Sequence, residues 1–287
     1  MRSEKEVQTA EKEVQTPGTL FLVSTPIGNM ADLSARAVAT LGSVSAVLAE
    51  DTRHSRPLLT KHGIATPLVA YHEHNEAKST PTLVARLAAG ESLALISDAG
   101  TPLLSDPGAR LVRAAIDAGI VVTPVPGASA LLAALVASGI VADRFTFYGF
   151  LARKGKERGA ALREIAELTH TAVLYEAPAR VGETLAALAA VGAGDREAVV
   201  ARELTKQFEE FRRGTVHALA ESYHEVAPRG EVVLVIAGAA TPELDESTLR
   251  ERAHALRAEG LSARDVVRVL TEESHAPRNL AYRLAHE

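Results

Sequence analysis

Apolar runs alternate with amphipathic segments along the first half of the chain. Runs rich in Val, Leu and Ile predict strands at 19–25, 44–49, 93–97 and 121–125. Strands that are covered on both faces have such continuous apolar sequences. Apolar residues at helical spacing predict helices at about 32–41, 54–62, 80–89, 107–118 and 128–138. Strands that alternate with helices in this way indicate an α/β fold with a mostly parallel sheet.

The second half of the chain repeats the alternation with a different spacing. Its predicted strands are 143–150, 171–178, 197–204, 208–216 and 230–238, and its predicted helices are about 157–168, 180–190 and 215–224. The fourth strand follows the third so closely that we expect some antiparallel pairing. After residue 240 the pattern predicts only helices, near 246–259, 262–273 and 277–286.

These patterns predict how the chain divides into domains. We expect two α/β domains, at 18–140 and 141–240. A flexible tail would occupy 1–17, where EKEVQTA is followed directly by EKEVQTP. One such pair of seven-residue copies is too short to build a core. The last segment, 241–287, is expected to be a small extension that resembles a helix–turn–helix.

Composition excludes several classes of chemistry. The chain has 287 residues and no cysteine, so disulfides, thiol nucleophiles and cysteine-bound zinc are absent. It contains neither a signal-peptide pattern nor an apolar stretch approaching the roughly 20 residues of a membrane span, and we expect a cytoplasmic protein. The net charge of −5 gives no general affinity for nucleic acid, although a local basic surface is compatible with it.

Turn residues follow each predicted strand of the first domain. They form the clusters STPIGN (24–29), EDTRHS (50–55), SDAGTP (97–102) and VPGASA (125–130). Ligands of open α/β sheets bind outside the carboxyl ends of the strands, so these clusters mark the expected site. A second turn, SDPG (105–108), follows the third cluster. There we expect Asp106 to cap a helix that begins at Pro107, with no role in chemistry.

The usual phosphate-binding motifs are missing. The sequence has no G-x-x-x-x-G-K-[ST] and no G-x-G-x-x-G after a strand, and it also lacks the G-x-S-x-G nucleophile turn. A ligand held by main chain and small side chains is therefore favoured over one held through a pyrophosphate. S-adenosylmethionine fits this description because it has no phosphate and carries a sulfonium cation.

Eight ordered motifs carry a family resemblance. They are STPIGN, AEDTRHSRPLL, YHEHNE, LISDAGTPLLSDPG, VPGASA, FYGFLARKGKER, LYEAPAR and RELTKQFEEFRRGT. Over about 19–240 the chain resembles the ribosomal RNA small-subunit methyltransferase I family, a branch of the tetrapyrrole (corrin/porphyrin) methylases. The resemblance implies a homodimer. It also implies that S-adenosylmethionine binds in a cleft between the two α/β domains of each chain. The implied reaction is methylation of the ribose 2′-hydroxyl of a decoding-centre cytidine in 16S rRNA.

The same resemblance implies a set of cofactor-binding residues. They are Asp98, Ala99, Gly100 and Thr101 after the third strand, Pro26 after the first, Ser129 and Ala130 at a helix start, Tyr175 and Glu176 in the second domain, and Ala237 in the last strand. Glycine at 100 would let main chain approach the ligand. The alternative is that SDAGTP is only a tight turn with glycine at positive φ.

The acceptor side offers candidates for a catalytic base or for residues that orient the hydroxyl. They are Asp51, His72, His74 and Lys206, with Glu50, Arg53, His54, Glu73, Asn75 and Glu76 in the same loops. A histidine near its ordinary pKa is a suitable base at neutral pH. The alternative is a set of polar loops whose carboxylates bind neighbouring amides. We expect no metal, because HEHNE lacks the H-E-x-x-H spacing.

A basic run predicts contact with RNA. Between 144 and 163 six basic residues accompany one acidic residue and several aromatic ones, a combination suited to phosphate binding and base stacking. Its predicted RNA-binding residues are Arg153, Lys154, Lys156 and Arg158, and Arg212 and Arg213 are expected to extend the surface. The alternative is a solvated loop between a strand and a helix.

Some positions depart from the family pattern, and other functions stay open. Ala152 stands where the family usually has proline, and Ala177 and Ala179 stand where serine and histidine are common. One rival function is a tetrapyrrole C-methyltransferase, but corrin-type enzymes favour a GGDP-like loop where this chain has DAGTP. Another is a non-catalytic RNA- or ribosome-binding protein with a vestigial donor pocket.

Overall fold

The computed structural model describes residues 16–239, 245–272 and 276–287. The chain forms two compact units, one ending at Gly238 and the other beginning at Ala239. Most of the predicted tail, including the greater part of its direct repeat, lies outside the described residues. No helix among the described residues is long and apolar enough to cross a membrane.

A parallel sheet of five strands forms the first half of the larger unit. Its strands are β1 (Thr19–Val23), β2 (Ala46–Ala49), β3 (Leu68–Ala70), β4 (Leu93–Ile96) and β5 (Val121–Val125), in the order β3-β2-β4-β1-β5. The sequence predicted only four of them. β3 was missed because it has three residues that are at most partly buried, so it presents no apolar run.

Helices cover both faces of this sheet, which explains the continuous apolar strands. They are α1 (Ala35–Ser43), α2 (Thr52–Lys61), α3 (Glu76–Ala88) and α4 (Ala109–Asp117). Val47 of β2 packs with Leu41 of α1 on one face. Its neighbour Leu48 packs with Leu87 of α3 and Leu111 of α4 on the other. Successive strand residues point to opposite faces, so both must be apolar.

The second sheet is mixed. It contains β6 (Phe145–Phe150), β7 (Thr171–Glu176), β8 (Glu197–Arg202), β9 (Glu210–Thr215) and β10 (Val232–Ile236), in the order β6-β7-β10-β8-β9. Only β6 and β7 are parallel, and the other pairs are antiparallel, as the short spacing before β9 predicted. One face packs against α6 (Lys156–Glu167), α7 (Val181–Leu188) and α8 (Val216–Ser222).

Helix α5 (Ala130–Ser138) joins the two sheets. It begins a few residues after β5 of the first sheet, and its Leu131 and Leu135 pack with Val173 and Val233 of the second sheet. The helix therefore fixes the carboxyl edge of the first sheet against the second sheet.

The smaller unit is helical, as the sequence predicted. It contains α9 (Glu246–Ala258), α10 (Ala263–Glu272) and α11 (Arg278–His286). Asp245 caps α9 by accepting a hydrogen bond from the Thr248 amide at 2.7 Å. Leu249, Val266 and Leu284 meet in its core. The domain boundaries at 140/141 and 240/241 stay predictions.

The packing between α7 and α8 can be tested at Gly182 of α7, with Gly42 of α1 as the control. A Cβ added at Gly182 would lie 2.3 Å from the Tyr223 carbonyl oxygen, whereas one added at Gly42 of α1 would meet nothing within 4 Å. We expect Gly182→Ala to lower the free energy of unfolding by about 1–3 kcal/mol, since the backbones must separate. Gly42→Ala should raise it by about 0.5–1 kcal/mol. Urea denaturation measures both, and equal effects would contradict the packing described.

Candidate functional site

A cavity of about 370 Å³ lies between the carboxyl edge of the first sheet and the second sheet. Most of the predicted cofactor residues line it, namely Asp98, Ala99, Gly100, Thr101, Ala130, Tyr175 and Glu176. The lining also includes residues that the sequence analysis did not single out as ligand contacts, among them Ile27, Leu104, Ser105, Asp106, Phe150, Leu204, Glu231, Val232 and Val233. This cavity is the candidate site.

Three loops of the first sheet are tied together beside the cavity. Thr25 and Gly100 exchange backbone hydrogen bonds of 2.8 and 3.1 Å. The Thr101 hydroxyl donates to the Ala128 carbonyl at 3.2 Å and accepts from the Ser24 hydroxyl at 3.2 Å. These loops follow β1, β4 and β5, which are adjacent in the sheet, so their carboxyl ends meet at this corner.

Gly100 is required by the fold as well as by its place in the cavity. Its φ of +79° lies in the left-handed region, which glycine adopts without steric cost. A Cβ there would also lie 3.2 Å from the Ile27 methyl group. The tight-turn interpretation therefore describes the backbone correctly, and the residue lines the cavity too.

The second sheet contributes an aromatic wall. The Tyr175 ring packs edge-on against Phe147 with centroids 4.9 Å apart, and lies 5.6 Å from Phe150. Burial raises the pKa of the Tyr175 hydroxyl, so this group stays protonated at neutral pH. Phe150 is 59% exposed at the end of β6, which leaves its ring available to a ligand.

Glu176 is buried and bonded within its own domain. Its carboxylate accepts hydrogen bonds from the Ala177 amide at 2.8 Å and the Thr184 hydroxyl at 2.6 Å. Arg180 completes its shell with an ion pair at 3.4 Å. These partners fix the carboxylate beside the cavity.

Three predicted cofactor residues do not line the cavity. Pro26 precedes Ile27, which does, and Ser129 caps α5 by accepting from the Leu132 amide. Ala237 lies beyond the far end of β10, where its amide donates to the Glu197 carbonyl. Because β10 is antiparallel to β7, its amino end meets the cavity. The prediction that Ala237 contacts the ligand is therefore wrong for this cavity.

Two of the predicted catalytic residues are poorly suited to act as the base, Asp51 because its carboxylate is only weakly basic and Lys206 because it is protonated. Asp51 caps α2 and pairs with the Arg53 guanidinium at 2.9 Å, and these bonds hold the pKa of its carboxyl well below the usual range. The Lys206 ammonium lies 2.9 Å from Glu203 and 3.0 Å from Glu231. Burial lowers its pKa, but the two carboxylates more than offset this and raise it. Lys206 is therefore a cation.

The two predicted histidines follow β3 and do not line the cavity. Their rings are 6.0 Å apart, and the His72 amide donates to the Asn75 side chain at 2.9 Å. Nearby, burial and the charge of Asp98 raise the pKa of Glu50. Within the described ranges no three His, Cys, Asp or Glu side chains form a group that could hold a metal ion.

Asp106 is the titratable residue that the sequence analysis misplaced. Helix α4 begins at Ala109 with Gly108 at its amino end, so Asp106 does not cap it. Instead Asp106 lines the cavity. Burial raises the pKa of its carboxyl to about 6; the hydrogen bond from Ser97 opposes this, and the charges of Glu50 and Asp98 add to it. The run of two successive turns was the signal that this segment approaches a ligand.

The backbone before Asp106 is strained. Leu103 and Ser105 have φ values of 72° and 70°, in a region that residues other than glycine rarely adopt. A Cβ added at Gly149 of β6 would lie 2.9 Å from the Ser105 hydroxyl. Strained residues of this kind persist where the surroundings hold them and are common at functional sites. Contact with β6 therefore holds the loop that presents Asp106.

The predicted basic surface is smaller than expected. Arg153, Lys154 and Lys156 are exposed in the segment that follows Phe150, and Phe150 lines the cavity. Arg158 is only 6% exposed and donates to the Thr184 hydroxyl at 3.0 Å. Its assignment to RNA binding is therefore wrong, because the guanidinium is used inside the domain.

Arg212 and Arg213 do not extend this surface. They lie on β9, at the opposite edge of the sheet from β6, and consecutive strand residues point to opposite faces. Arg213 donates to the Ala137 carbonyl at 2.6 Å and thus binds the carboxyl end of α5. Arg212 lies over the Tyr223 ring at 5.3 Å. The prediction of one continuous basic surface is wrong.

Known proteins resemble this chain in sequence and in fold. Residues 19–220 match the family model of tetrapyrrole (corrin/porphyrin) methylases. The ribosomal RNA small subunit methyltransferase I of Synechocystis is 46% identical over 94% of this chain and 98% of its own length. That of Bacillus subtilis is 43% identical over 94% of each. That of Pseudomonas aeruginosa is 51% identical over 80% of this chain and 82% of its own.

Solved structures with lower identity have the same fold. A Thermus thermophilus uroporphyrin-III C-methyl transferase complexed with S-adenyl homocysteine superposes with a TM-score of 0.55 at 19% identity, over 77% of this chain and 97% of its own. Cobalt precorrin-4 methyltransferase superposes with a TM-score of 0.57 at 18% sequence identity, over 76% of this chain and 94% of its own. The fold and the identities over most of the length lead to one conclusion: the chain belongs to the ribosomal RNA small subunit methyltransferase I family of the tetrapyrrole methylases.

Proposed function

We propose that this chain is an S-adenosylmethionine-dependent methyltransferase of small-subunit ribosomal RNA. The charge of the cavity carries the proposal. Four acidic residues line it, Asp98, Asp106, Glu176 and Glu231, and no Lys, Arg or His from the described part of the chain does. Glu176 and Glu231 are ion-paired with Arg180 and Lys206, so Asp98 and Asp106 supply the negative charge that no cation among the described residues offsets. Such a cavity repels a phosphate-bearing cofactor and attracts a cationic one.

The lining residues fit the proposed cofactor. The volume lies in the range of about 300–1,000 Å³ that is usual for small-molecule sites. The main chain of 98–101 forms one side, and Ile27, Leu204 and Val233 supply apolar surface suited to an adenine ring. S-adenosylmethionine bound there supplies an electrophilic methyl group on a sulfonium ion. The carboxylates favour that positive charge over the neutral product.

RNA is the acceptor that the sequence relatives and the charge distribution support. The relatives are named for ribosomal RNA small-subunit methylation. Arg153, Lys154 and Lys156 are exposed in the segment that follows Phe150, which lines the cavity, an arrangement suited to RNA phosphates and an unstacked base. We propose the ribose 2′-hydroxyl of a decoding-region cytidine in 16S rRNA as the acceptor, which the family resemblance implies.

Asp106 is the proposed base. A ribose hydroxyl is a weak nucleophile, and a carboxylate that takes its proton increases its reactivity. Asp51 and Lys206 are each held in an ion pair, and Asp98 accepts from the Asp51 amide at 3.1 Å. Asp106 lines the cavity without an ion pair among the described residues. Its carboxylate oxygen would receive the proton as the hydroxyl oxygen forms its bond to the methyl carbon, and the methyl–sulfur bond of the donor would break with its electron pair kept by sulfur, leaving S-adenosylhomocysteine.

Methyl transfer to small ribosomal subunits tests the proposed function. Subunits from a strain that lacks the modification are incubated with the protein and labelled S-adenosylmethionine, and the product is mapped by primer extension. We expect one 2′-O-methylated cytidine in the decoding region. Transfer to a tetrapyrrole with none to rRNA would favour the C-methyltransferase instead. Failure to bind the donor at all would favour a non-catalytic RNA-binding protein.

The variant Asp106→Asn tests the proposed base. We expect kcat to fall by about 10²–10⁴-fold, because the amide cannot take up the proton. In the wild-type protein kcat should rise with pH through the carboxyl pKa of about 6, and the variant should lose this rise. A pH profile unchanged by the substitution would contradict the assignment.

The same variant should be more stable than the wild type. The folded pKa of Asp106 is raised to about 6 from 3.8, so the wild type is destabilised as pH rises through this range and the group ionises. The amide of the variant does not ionise, and the gain in melting temperature should appear above pH 6 and shrink below it. Thermal unfolding at several pH values measures this difference without any turnover. A gain that does not depend on pH would contradict the burial of the charge.

Removing the charges of the basic loop should weaken RNA binding alone. We expect the triple variant Arg153→Gln/Lys154→Gln/Lys156→Gln to raise KM for the subunit while the Kd for S-adenosylmethionine stays unchanged. The dependence of log Kd for RNA on log salt should become less steep. Lys61→Gln, exposed at the far end of α2, is the matched control. Equal effects of the loop and control variants on RNA binding would exclude the loop from the RNA-binding surface.

The homodimer remains part of the proposal. The family resemblance implies it, and α5 leaves Leu132 and Val136 respectively 50% and 75% exposed, which is typical of a surface that is covered in an oligomer. Sedimentation equilibrium should give twice the chain mass. A monomer at all concentrations would exclude it.

A further inference from the structure

The helical unit carries a groove that the proposed active site does not use. A cavity of about 470 Å³ lies between α10 and α11. It is lined by Arg264, Val267, Arg268, Thr271, Glu272, Arg278, Tyr282 and His286. We call this feature the α10–α11 groove.

The groove is formed by one face of each helix. On α10 the residues Arg264 and Arg268 are one turn apart, and on α11 the residues Arg278, Tyr282 and His286 follow at intervals of four. Side chains at this spacing share a helix face. The opposite faces, which include Val266, Leu270 and Leu284, form the core of the unit. Val267 also packs against this core, whereas the polar and aromatic groove residues lie outside it.

Positive charge is concentrated in the groove although the segment is not basic overall. Outside the groove, Arg250 pairs with Glu246 and Glu287, and Arg283 pairs with Glu246. Within it, Arg264 and Arg278 have no ion-pair partner among the described residues, and Arg268 has only a long contact of 3.7 Å with Asp265. Among the described lining residues, three arginines stand with one acidic residue, Glu272.

An aromatic surface lies beside these charges. Tyr282 is 61% exposed, and its ring is tilted 32° against the His286 ring with centroids 4.3 Å apart. The Nδ1 atom of His286 lies 2.8 Å from the Tyr282 carbonyl oxygen. This contact restrains the imidazole against the phenol ring and leaves the pair open to solvent on α11.

We propose that the α10–α11 groove binds single-stranded RNA, with phosphates on its arginines and a base stacked on Tyr282. Guanidinium groups bind phosphate through paired N–H donors. Exposed aromatic rings stack on unpaired bases of any sequence. An acidic protein partner would satisfy the arginines but would leave the aromatic pair without a matching group. The proposal rests on the proposed function only in taking RNA as the partner.

RNA binding by the full chain tests the groove without methyl transfer. The probe is a fluorescein-labelled single-stranded RNA with the decoding-region sequence of 16S rRNA, and anisotropy is measured over a salt series. For Arg264→Gln/Arg268→Gln we expect the slope of log Kd against log salt to lose about 0.7 for each phosphate contact. Tyr282→Ala should weaken binding at least about fivefold, through loss of the stacked base.

Matched variants separate charge from structure. Arg264→Lys/Arg268→Lys keeps both charges and should retain the wild-type salt slope. Arg252→Gln removes an arginine that is exposed on α9 outside the groove and should leave binding unchanged. Because all of these positions are exposed, each variant should keep the wild-type circular dichroism.

Two results would overturn the proposal. The first is a Kd for the RNA that is the same for the groove variants, the wild type and Arg252→Gln. The second is a groove variant that binds the RNA as tightly as the wild type but no longer binds intact small subunits. That result would assign the groove to a ribosomal protein. Absence of methyl transfer by the wild type would contradict the proposed function and leave the RNA-binding comparison valid.

Discussion

The candidate site depends on the backbone bridge between Thr25 and Gly100. Two hydrogen bonds join the loop after β1 to the loop after β4, and the Thr101 hydroxyl extends the connection to the loop before α5. Residues 98–101 thereby form one rigid wall of the cavity. Helix α5 packs the same corner against the second sheet, so the opposite wall is held at a fixed separation. A loop preorganised in this way loses little conformational entropy when a ligand binds.

Charge and strain are distributed around this corner in a consistent way. Asp98 and Asp106 line the cavity, whereas the cationic Lys206 is not among the lining residues and is held between Glu203 and Glu231. Left-handed backbone at Leu103 and Ser105 precedes Asp106, and the same conformation at Glu203 and Thr205 precedes Lys206. Such conformations cost about 1–3 kcal/mol each and persist only where neighbouring contacts hold them. Both loops therefore place a charged group at a defined position near the cavity.

The sequence predicted the α/β class and most strands, because these follow from local patterns. The cofactor residues came from the family resemblance, and most of them line the cavity. Continuous apolar runs predicted buried strands, and turn clusters at their carboxyl ends predicted the ligand edge. The failures have long-range causes. Ala237 was misplaced because the direction of β10 is set by its pairing with β7 and β8. Arg158 was taken as exposed because its partner, Thr184, is 26 residues away.

Asp106 shows how a local rule can hide a residue that lines the candidate site. The sequence Ser-Asp-Pro-Gly satisfies the pattern of a helix start at Pro107, yet the helix begins two residues later, at Ala109. Ser105, which precedes Asp106, lies close to Gly149 of β6, a long-range contact that no local pattern contains. The exposure of Arg153 and Lys154 was easier to predict, because both lie in a polar run shortly after a recognisable strand.

A crystal structure of the protein with S-adenosylhomocysteine tests the central claim most directly. We expect the ligand to occupy the cavity of about 370 Å³. It should form hydrogen bonds to the main chain of 98–101 on one side and contact Tyr175 on the other. A ligand bound elsewhere, with this corner in contact only with solvent, would contradict this claim.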